Sequence, residues 1–324
     1  MASLRPEDYR IVWVAPLEIE AQAALHMLDH KHAGRFPIRR GDDHIFQAGS
    51  MCGHNVVIAT LPAGQEYGTG SAAALASQAK KFFPNLWFGL LVGVAAGIPD
   101  LERSPPRDIR LGDVLVSIPD VEHSGTVAYD LGKDTGGNEL ELLRQSHILT
   151  QTEPVEHDKL YKVGDDGGDQ LVERKPRLES QRTQVWYGPI GSGEKLMKNA
   201  AMRDQLRDKY GIIGLEMEAA GTMNRIPVGV IRGVCDYADK HKNKNWQPYA
   251  AAMAAAYAKA ILFEINPGQG PTNSRPDLHG DSSNKRSSKR RTREPTESDE
   301  DGAGKRRRKS SGVATGRDRI ILSG

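Results

Sequence analysis

The stretch Val228-Gly229-Val230-Ile231-Arg232-Gly233-Val234-Cys235-Asp236 is apolar along almost its whole length and ends in an acid. A short apolar run of this kind is typical of a strand that is buried on both faces of a sheet. It predicts a strand over 227–234, with Asp236 just past the carboxyl end. Acids at that end of a strand lie where α/β enzymes bind their ligands.

Similar apolar runs alternate with segments of helical periodicity along the chain. Predicted strands cover 11–15, 45–50, 55–61, 86–92, 113–118 and 212–215. Predicted helices cover 18–30, 68–83, 192–210, 216–225 and 247–265. The alternation predicts an α/β fold with three layers, α/β/α, around a central mixed, largely parallel sheet. A charged, Gly-rich excursion from this core is predicted over 122–182.

The 324 residues carry a formal net charge of +2, but the charge is unevenly distributed. From Asn266 onward, 14 Lys and Arg stand against 8 Asp and Glu, and the apolar pattern stops. We therefore expect a folded domain over 1–265 and a disordered basic tail over 266–324. The basic clusters of the tail, within 285–309, are typical of a bipartite nuclear-import signal, which makes a nuclear import receptor a candidate partner. Non-specific contact with nucleic acid is the alternative.

The two cysteines, Cys52 and Cys235, form neither a disulfide framework nor a zinc-binding pattern. The first ten residues are polar, and no apolar run approaches the ~18 to 20 residues that span a bilayer. We expect an intracellular protein of the cytoplasm or nucleus, without membrane contact, and predict no metal and no cofactor.

Glu218 lies among apolar residues at a predicted helix start. A buried carboxylate is costly unless it has a partner, and one that accepts two hydroxyl hydrogen bonds would suit a ribose diol. The alternative is an ordinary acid in the first turn of a helix, where the helix dipole stabilises it.

Two further acids follow predicted strands. Asp236 has apolar neighbours, and desolvation favours the proton-donating form of a carboxyl group, as a general acid requires. Glu20 lies just past the first strand. The alternative for both residues is a structural cap of the next segment.

Two turns rich in small residues predict close backbone approach to a ligand. Gly68 and Thr69 belong to the segment 64–70, at a predicted helix start that could hold an anion or a ribose. Gly93 and Ala95 belong to a predicted turn over 93–97.

His241, Lys242 and Lys244 follow Asp236 within eight residues. They predict either a solvated loop or a cationic patch over the 5′ end of a bound sugar, where it could bind a nucleotide phosphate.

Taken together, these motifs resemble the nucleoside phosphorylase and nucleosidase superfamily over residues 9–265, apart from the excursion. Leu-Glu-Met-Glu-Ala-Ala at 215–220 is similar to the ribose-binding helix start of methylthioadenosine/adenosylhomocysteine nucleosidases. Arg-Gly-Val-Cys-Asp at 232–236 resembles their Arg-x-x-Ser-Asp element, with Cys235 in place of serine. Segments 17–20 and 92–97 resemble their first acidic motif and their Gly-Ser-Ala-Gly turn.

A more specific similarity is to the nucleoside-phosphorylase-like domains of fungal immune-type receptors. It rests on segments 54–59, 66–69 and 108–113, and on Cys-Asp-Tyr at 235–237 followed by His-Lys-Asn-Lys at 241–244 and Trp246. The resemblance implies a nucleoside phosphorylase-like fold, action on purine and especially adenine nucleosides or nucleotides, including ATP or dATP in defence, and assembly as a homo-oligomer.

The resemblance also implies roles for single residues. Glu218, with Met217 under the sugar, would hold the ribose hydroxyls. Asp236 would protonate purine N7 while the sugar becomes oxocarbenium-like, and Glu20 would activate water or hold a ribose hydroxyl. Gly193 and Leu196, in segment 192–196, would line the base pocket, and Cys235 would contact the base or Asp236.

Leu91 and Val94 stand where phosphorylases of this superfamily often carry a phosphate-binding Arg and Ser. This departure favours water as the acceptor. Three functions remain open: a purine N-glycosidase, a phosphate-dependent purine nucleoside phosphorylase, and a catalytically silent nucleoside sensor with a nuclear or nucleic-acid-binding tail.

Overall fold

A computed structural model describes residues 4–37, 45–61, 68–119, 125–129, 158–164 and 167–268. Nearly all of the predicted tail, most of the predicted excursion and residues 64–67 of the first glycine-rich turn lie outside the described residues. The boundary of the domain at 265 therefore stays a prediction.

Each predicted helix has a counterpart, although three begin later than expected, one of them by a single residue. The helices are α1 Glu18–Met27, α2 Thr69–Phe82, α3 Ala200–Tyr210, α4 Ala219–Met223 and α5 Gln247–Glu264. The predicted start of α3 at 192 was wrong because the chain first forms a strand, and the side chain of Asn199 then caps the helix by accepting a hydrogen bond from the amide of Met202. No helix in the described parts of the chain is long and apolar enough to cross a membrane.

Within the described residues, eleven strands form one sheet and two form a small separate sheet. The strands are β1 Ile11–Val14, β2 His30–Lys31, β3 Ile45–Met51, β4 His54–Thr60, β5 Phe88–Gly97, β6 Val114–Ser117, β7 Thr126–Ala128, β8 Leu160–Val163, β9 Asp169–Val172, β10 Val185–Gly188, β11 Ile190–Ser192, β12 Gly214–Glu216 and β13 Val228–Asp236. The main order is β10-β6-β13-β5-β1-β4-β3-β2; β12 pairs with β5, and β11 pairs with β12 and β7.

Parallel pairing dominates the centre of the sheet. It joins β4, β1, β5 and β13 in succession, whereas β6 and β12 are antiparallel to their central neighbours. The prediction of a mixed, largely parallel sheet is confirmed.

Helices cover both faces of this sheet, which confirms the three-layer arrangement. On one face, Trp13 of β1 packs in a cluster with Ala24 of α1 and Ala254 of α5. On the other face, the adjacent Val12 packs in a cluster with Leu75 of α2. Neighbouring residues of β1 therefore point to opposite helical layers, as expected for a strand buried on both faces.

The strand β5 is longer than its apolar run suggests. The predicted turn over 93–97 was wrong, because these residues continue β5 and pair with β13 on one side and β12 on the other. Glycine at position 97 serves packing there, since a Cβ atom would lie 2.7 Å from a methyl group of Val234.

The predicted excursion is tied to the core at several described points. β7 joins the main sheet through β11, while β8 and β9 form the small separate sheet. The guanidinium of Arg177 donates hydrogen bonds of 2.6 and 2.9 Å to the two carboxylate oxygens of the fully buried Asp113. Arg174 pairs with Asp108, outside the excursion, at 3.3 Å.

Candidate functional site

The three predicted acids gather at one edge of the sheet. β1, β5 and β13 are parallel, so their carboxyl ends lie at the same edge. The first turn of α1, just after β1, carries Glu20, and Asp236 ends β13. Glu218 follows β12, which is paired with the end of β5. Ligands of open α/β sheets bind at this edge.

Arg232, inside β13, is the cation among the buried acids. Its fully buried guanidinium donates from Nη2 to Glu216 and, at 2.9 Å, to Oε2 of Glu218. Its Nη1 lies 3.6 Å from Oε1 of Glu20. Three buried carboxyl groups thus share one buried cation, and each would be far more costly alone. Within the ranges that the structure describes, no group of His, Cys, Asp or Glu is placed to hold a metal ion.

Glu20 is fixed by two backbone amides. Its Oε2 accepts a hydrogen bond of 2.9 Å from the amide of Leu17, and its Oε1 accepts one of 2.9 Å from the amide of Val94. Burial raises the pKa of Glu20, and this effect outweighs the opposite influence of Arg232. A carboxylate with a raised pKa is a better base toward water than an ordinary one.

Gly93 leaves the space that Glu20 and Arg232 occupy. A Cβ atom at this position would lie 2.0 Å from Oε1 of Glu20 and 2.5 Å from Nη1 of Arg232. Small residues alone predict close approach of a ligand to Gly93 and Ala95. The structure adds a different reason for glycine at 93, which is the packing of two charged side chains, and it buries Ala95 within β5.

Glu216, which ends β12, and Glu218, just after it, share Arg232 but differ in their other contacts. Glu216 also accepts hydrogen bonds of 3.1 and 3.0 Å from the backbone amides of Glu218 and Ala219, as an ordinary acid at a helix start does. Burial raises the pKa of Glu218 to about 8. Met217 lies between the two acids and is partly buried.

Asp236 follows an irregularity in β13. The register with β5 shifts between Val234 and Asp236, and bulges of this kind redirect side chains next to active sites. Its Oδ1 accepts a hydrogen bond of 2.9 Å from the amide of Ala238. Its Oδ2 lies 2.9 Å from Nζ of Lys242 and 3.2 Å from Sγ of Cys235.

A cavity of about 410 Å³ opens beside Asp236. This volume lies within the range of small-molecule sites, roughly 300 to 1,000 Å³. The described residues that line it are Leu111, Lys159, Tyr161, Cys235, Asp236, Tyr237, Asp239, His241, Lys242, Asn243 and Trp246. The lining thus includes four predicted site residues, whereas Glu20 and Glu218 lie outside it.

Val94 links the cavity to the cluster around Arg232. Its amide binds Glu20, and its side chain packs against the cluster formed by Cys235, Trp246 and Ala250. The thiol of Cys235 is neutral there, because burial, and next the charge of Asp236, raise the pKa of Cys235 well above its usual range. A thiol is a weak donor, so Cys235 binds Asp236 less strongly than a serine would.

The loop after β13 is fastened to the β8–β9 sheet. The ring of His241 stacks on that of Tyr161, with centroids 3.8 Å apart. Nε2 of His241 lies 2.6 Å from Oδ2 of Asp169, and Lys240 pairs with the same oxygen at 2.9 Å. The small sheet therefore forms one wall of the cavity.

The three cations of the predicted patch differ in their surroundings. Lys242 lines the cavity and pairs with Asp236, whereas His241 lines the cavity and contacts Asp169. Lys244 is exposed and lies outside the cavity lining.

The start of α2 lies close to α4. Gly68 is the residue before α2 and has a φ of 134°. The hydroxyl of Thr69 donates a hydrogen bond of 2.5 Å to Oε1 of Glu194. A Cβ atom at Gly221 would lie 1.9 Å from the carbonyl oxygen of Thr69. Glycine at this position therefore allows the backbones of α2 and α4 to pack directly against each other.

Only the start of segment 192–196, which is predicted to line the base pocket, contacts the residues around Glu216 and Glu218. The amide of Gly193 donates a hydrogen bond of 3.1 Å to the carbonyl of Glu216. The hydroxyl of Ser192 accepts one of 3.0 Å from the amide of Ala220. Leu196 lies farther along the segment, and 49% of it is exposed.

Arg232 belongs to the motif at 232–236, but the sequence patterns assign no role to its side chain. A charged residue inside an apolar strand was the available signal, since a buried cation needs buried acids around it. No sequence pattern predicts the contact of Lys242 with Asp236. This contact depends on the path of the loop through Ala238, whose φ is 55°.

Solved structures share this architecture. A 5′-methylthioadenosine/S-adenosylhomocysteine nucleosidase of Helicobacter pylori matches with a TM-score of 0.52 and 16% identity, over 80% of this chain and 99% of that one. The futalosine hydrolase of the same organism matches with 0.51 and 16%, over 80% and 99%. The chain has a nucleoside phosphorylase-like α/β fold. A nucleosidase of S. pneumoniae shares this fold with a TM-score of 0.51 and 16% identity, over 79% of this chain and 100% of that one.

One longer protein is similar to this chain in sequence. A nucleotide-binding leucine-rich repeat (NLR)-like protein of Hyaloscypha variabilis is 39% identical over 306 residues. The match covers 82% of this chain but 30% of the relative, so the chain spans less than a third of the relative's length. The resemblance predicted from the sequence is thereby confirmed as a similarity to part of a fungal NLR-like protein. No family model matches the chain.

Proposed function

We propose that the chain hydrolyses the N-glycosidic bond of a purine nucleoside or nucleotide, with adenine as the preferred base. The observation that carries this proposal is the gathering of three acids at one edge of the sheet, with Asp236 at a cavity and Glu20 and Glu218 around Arg232. The solved structures of similar fold include enzymes named as nucleosidases and as a hydrolase, which supports the same reaction class.

Asp236 is proposed as the general acid. The C1′–N9 bond breaks with its electron pair going to the base, and the base leaves more readily when N7 receives a proton. Asp236 is buried at a strand end and faces a cavity of suitable size, which supports its delivery of that proton. General acid assistance accelerates such steps by about 100- to 10,000-fold.

Glu218 is proposed to hold the ribose diol. Arg232 orients its carboxyl group through the 2.9 Å hydrogen bond, which leaves acceptor positions for two hydroxyl groups. Met217, next in the chain, would lie under the sugar, as in the nucleosidases that the segment resembles.

Water is proposed as the second substrate, activated at Glu20. The guanidinium Nη1 of Arg232 lies 3.6 Å from Glu20 and has no hydrogen-bond partner within the described residues. A water molecule there could accept from Arg232 and give its proton to Glu20 while its oxygen attacks C1′. Leu91 is buried in the core and Val94 packs against Cys235, so neither position offers a phosphate ligand.

A nucleotide such as ATP or dATP is the proposed substrate in a defence role. Two observations support it: cationic side chains line the cavity near Asp236, and the chain is similar to part of an NLR-like protein. A nucleoside without a 5′ phosphate is the other substrate class within the same reaction.

The test is chromatography of adenosine, inosine and ATP after incubation with the protein, with and without phosphate. We expect free base and free sugar in the absence of phosphate, and at least a 100-fold slower release with Asp236→Asn. Strict dependence on phosphate would indicate a phosphorylase. Binding without turnover, unchanged by Asp236→Asn, would indicate a nucleoside sensor.

A further inference from the structure

Lys242 contacts the carboxyl group that the proposed function makes the general acid. Its Nζ lies 2.9 Å from Oδ2 of Asp236, whose side chain is only 3% exposed. The lysine side chain is 20% exposed, so its ammonium lies at the boundary between Asp236 and the cavity.

Donors surround both carboxyl oxygens of Asp236. Oδ1 accepts from the amide of Ala238, and Oδ2 has Lys242 and the thiol of Cys235 within reach. An ionised carboxylate only accepts hydrogen bonds, whereas a general acid must carry a proton of its own. Among these donors, Ala238 offers a backbone amide and Cys235 a short side chain. Lys242 alone of the three carries its donor on a flexible four-carbon stem.

The cavity contains groups that could draw this ammonium away from Asp236. Lys159 and His241 line it together with Lys242, so an anion bound there would be surrounded by cations. The remaining titratable groups of the lining are Tyr161, Cys235, Tyr237 and Asp239. Asp239 is buried and binds the amide of His241 at 3.0 Å, so it belongs to the same loop structure.

On the basis of the proposed function, we propose that Lys242 is a charge gate, meaning a positioning residue that occupies Oδ2 of Asp236 until the substrate brings an anion. A phosphate on the 5′ position of the sugar attracts the ammonium of Lys242 into the cavity. Asp236 then takes a proton from solvent and passes it to N7 as the C1′–N9 electron pair moves to the base. Lys242 keeps its own proton throughout, and the gate selects phosphorylated substrates through kcat as well as through binding.

Steady-state kinetics with Lys242→Met test the gate. A neighbouring ammonium changes the protonated fraction of a carboxyl group about tenfold or more. We therefore expect kcat for adenosine to rise about tenfold, while KM for adenosine 5′-monophosphate rises and its kcat advantage over adenosine falls. The matched control is Lys240→Met, two residues away on an exposed side chain. A lower or unchanged kcat for adenosine in Lys242→Met would overturn the proposal.

Calorimetric binding of ribose 5-phosphate, which carries the anion but no base, gives a second readout that needs no turnover. Titrations in buffers of different ionisation enthalpy measure the protons taken up on binding. We expect the wild-type protein to take up more protons than Lys242→Met, because the anion draws the ammonium of Lys242 away from Asp236. Equal uptake in the two proteins contradicts the gate.

The two ideas fail in different ways. If Asp236→Asn abolishes cleavage but Lys242→Met matches the wild type in both readouts, the gate is wrong and the proposed function stands. If the wild-type protein cleaves neither adenosine nor its monophosphate, the proposed function is wrong and the gate falls with it.

Discussion

A Cβ atom on Gly93 would lie 2.0 Å from Oε1 of Glu20. The absence of a side chain in the middle of β5 therefore makes room for an acid from α1 and for the guanidinium of Arg232 from β13. A backbone position in the central strand thus decides whether the cluster of buried charges can form.

Gly93→Ala should displace Glu20 and Arg232 from each other. We expect the free energy of unfolding to fall by about 3 kcal/mol, from overpacking and from a weakened buried ion cluster. Urea denaturation measures the fall, and release of free base should drop together with it.

The matched control for this substitution is Gly229→Ala in β13. A Cβ atom there has its nearest neighbour at 3.4 Å, which is an ordinary contact, so the free energy of unfolding should stay within about 1 kcal/mol of the wild type. Equal losses in the two variants would contradict the packing role of Gly93.

The raised pKa of Glu218 predicts a pH dependence of stability. The pKa of this carboxyl group rises from 4.5 to about 8 in the folded protein because of burial. Between these values the folded protein holds a proton that the unfolded chain has lost, so the free energy of unfolding falls as pH rises through this window. The raised pKa of Glu20 acts in the same direction.

Glu218→Gln should make this dependence shallower, which urea denaturation at pH 5, 6, 7 and 8 can measure. Glu264→Gln, at the exposed end of α5, is the control and should keep the wild-type slope. A Glu218→Gln protein with the full slope would show that the proton is held elsewhere.

Arg177→Met should uncouple part of the excursion from the core. Asp113 is fully buried and would lose two charge-assisted hydrogen bonds, although the amides of Arg110 and Gln184 would still donate to it. We expect a loss of about 3 kcal/mol in the free energy of unfolding. Arg182→Met, which breaks an exposed pair with Glu179, should cost less than about 1 kcal/mol. Thermal unfolding of both variants distinguishes a buried pair from an exposed one.

The two cysteines should react at different rates with iodoacetamide. The thiolate is the reactive form, and the pKa of Cys235 is raised well above its usual range by burial and then by Asp236. The pKa of Cys52 is also raised by burial, but this residue is partly exposed. Mass spectrometry at pH 8 should show alkylation of Cys52 first and of Cys235 only after unfolding. Comparable rates in the native protein would mean that the cavity wall opens.

The central sheet could be predicted because its strands are buried on both faces. Runs such as 11–14 and 88–92 are apolar throughout, and helices lie between several of these strands. The end of β5 could not be predicted in the same way. Gly93 and Gly97 are typical of a turn, and only the positions of Arg232 and Val234 in the neighbouring strand explain their presence within a strand.

The acids of the site could be predicted from their position at strand ends, but their partners could not. Glu216 and Glu218 both bind Arg232, and Glu216 also accepts hydrogen bonds from the amides of Glu218 and Ala219. Their shared partner lies 16 and 14 residues farther along the chain, so local sequence does not reveal it. The contact between Lys242 and Asp236 is likewise set by a loop conformation and not by residue type.

The β8–β9 pair contributes a wall of the cavity through Tyr161, while Glu20, Glu218 and Asp236 all arise from other parts of the chain. Its link to the loop after β13 runs through Asp169 and the stacked rings of Tyr161 and His241. One wall of the cavity and the three acids are therefore carried by separate segments. Exchanging residues 158–174 between related chains becomes a route to new substrates that leaves the acids and their arginine untouched.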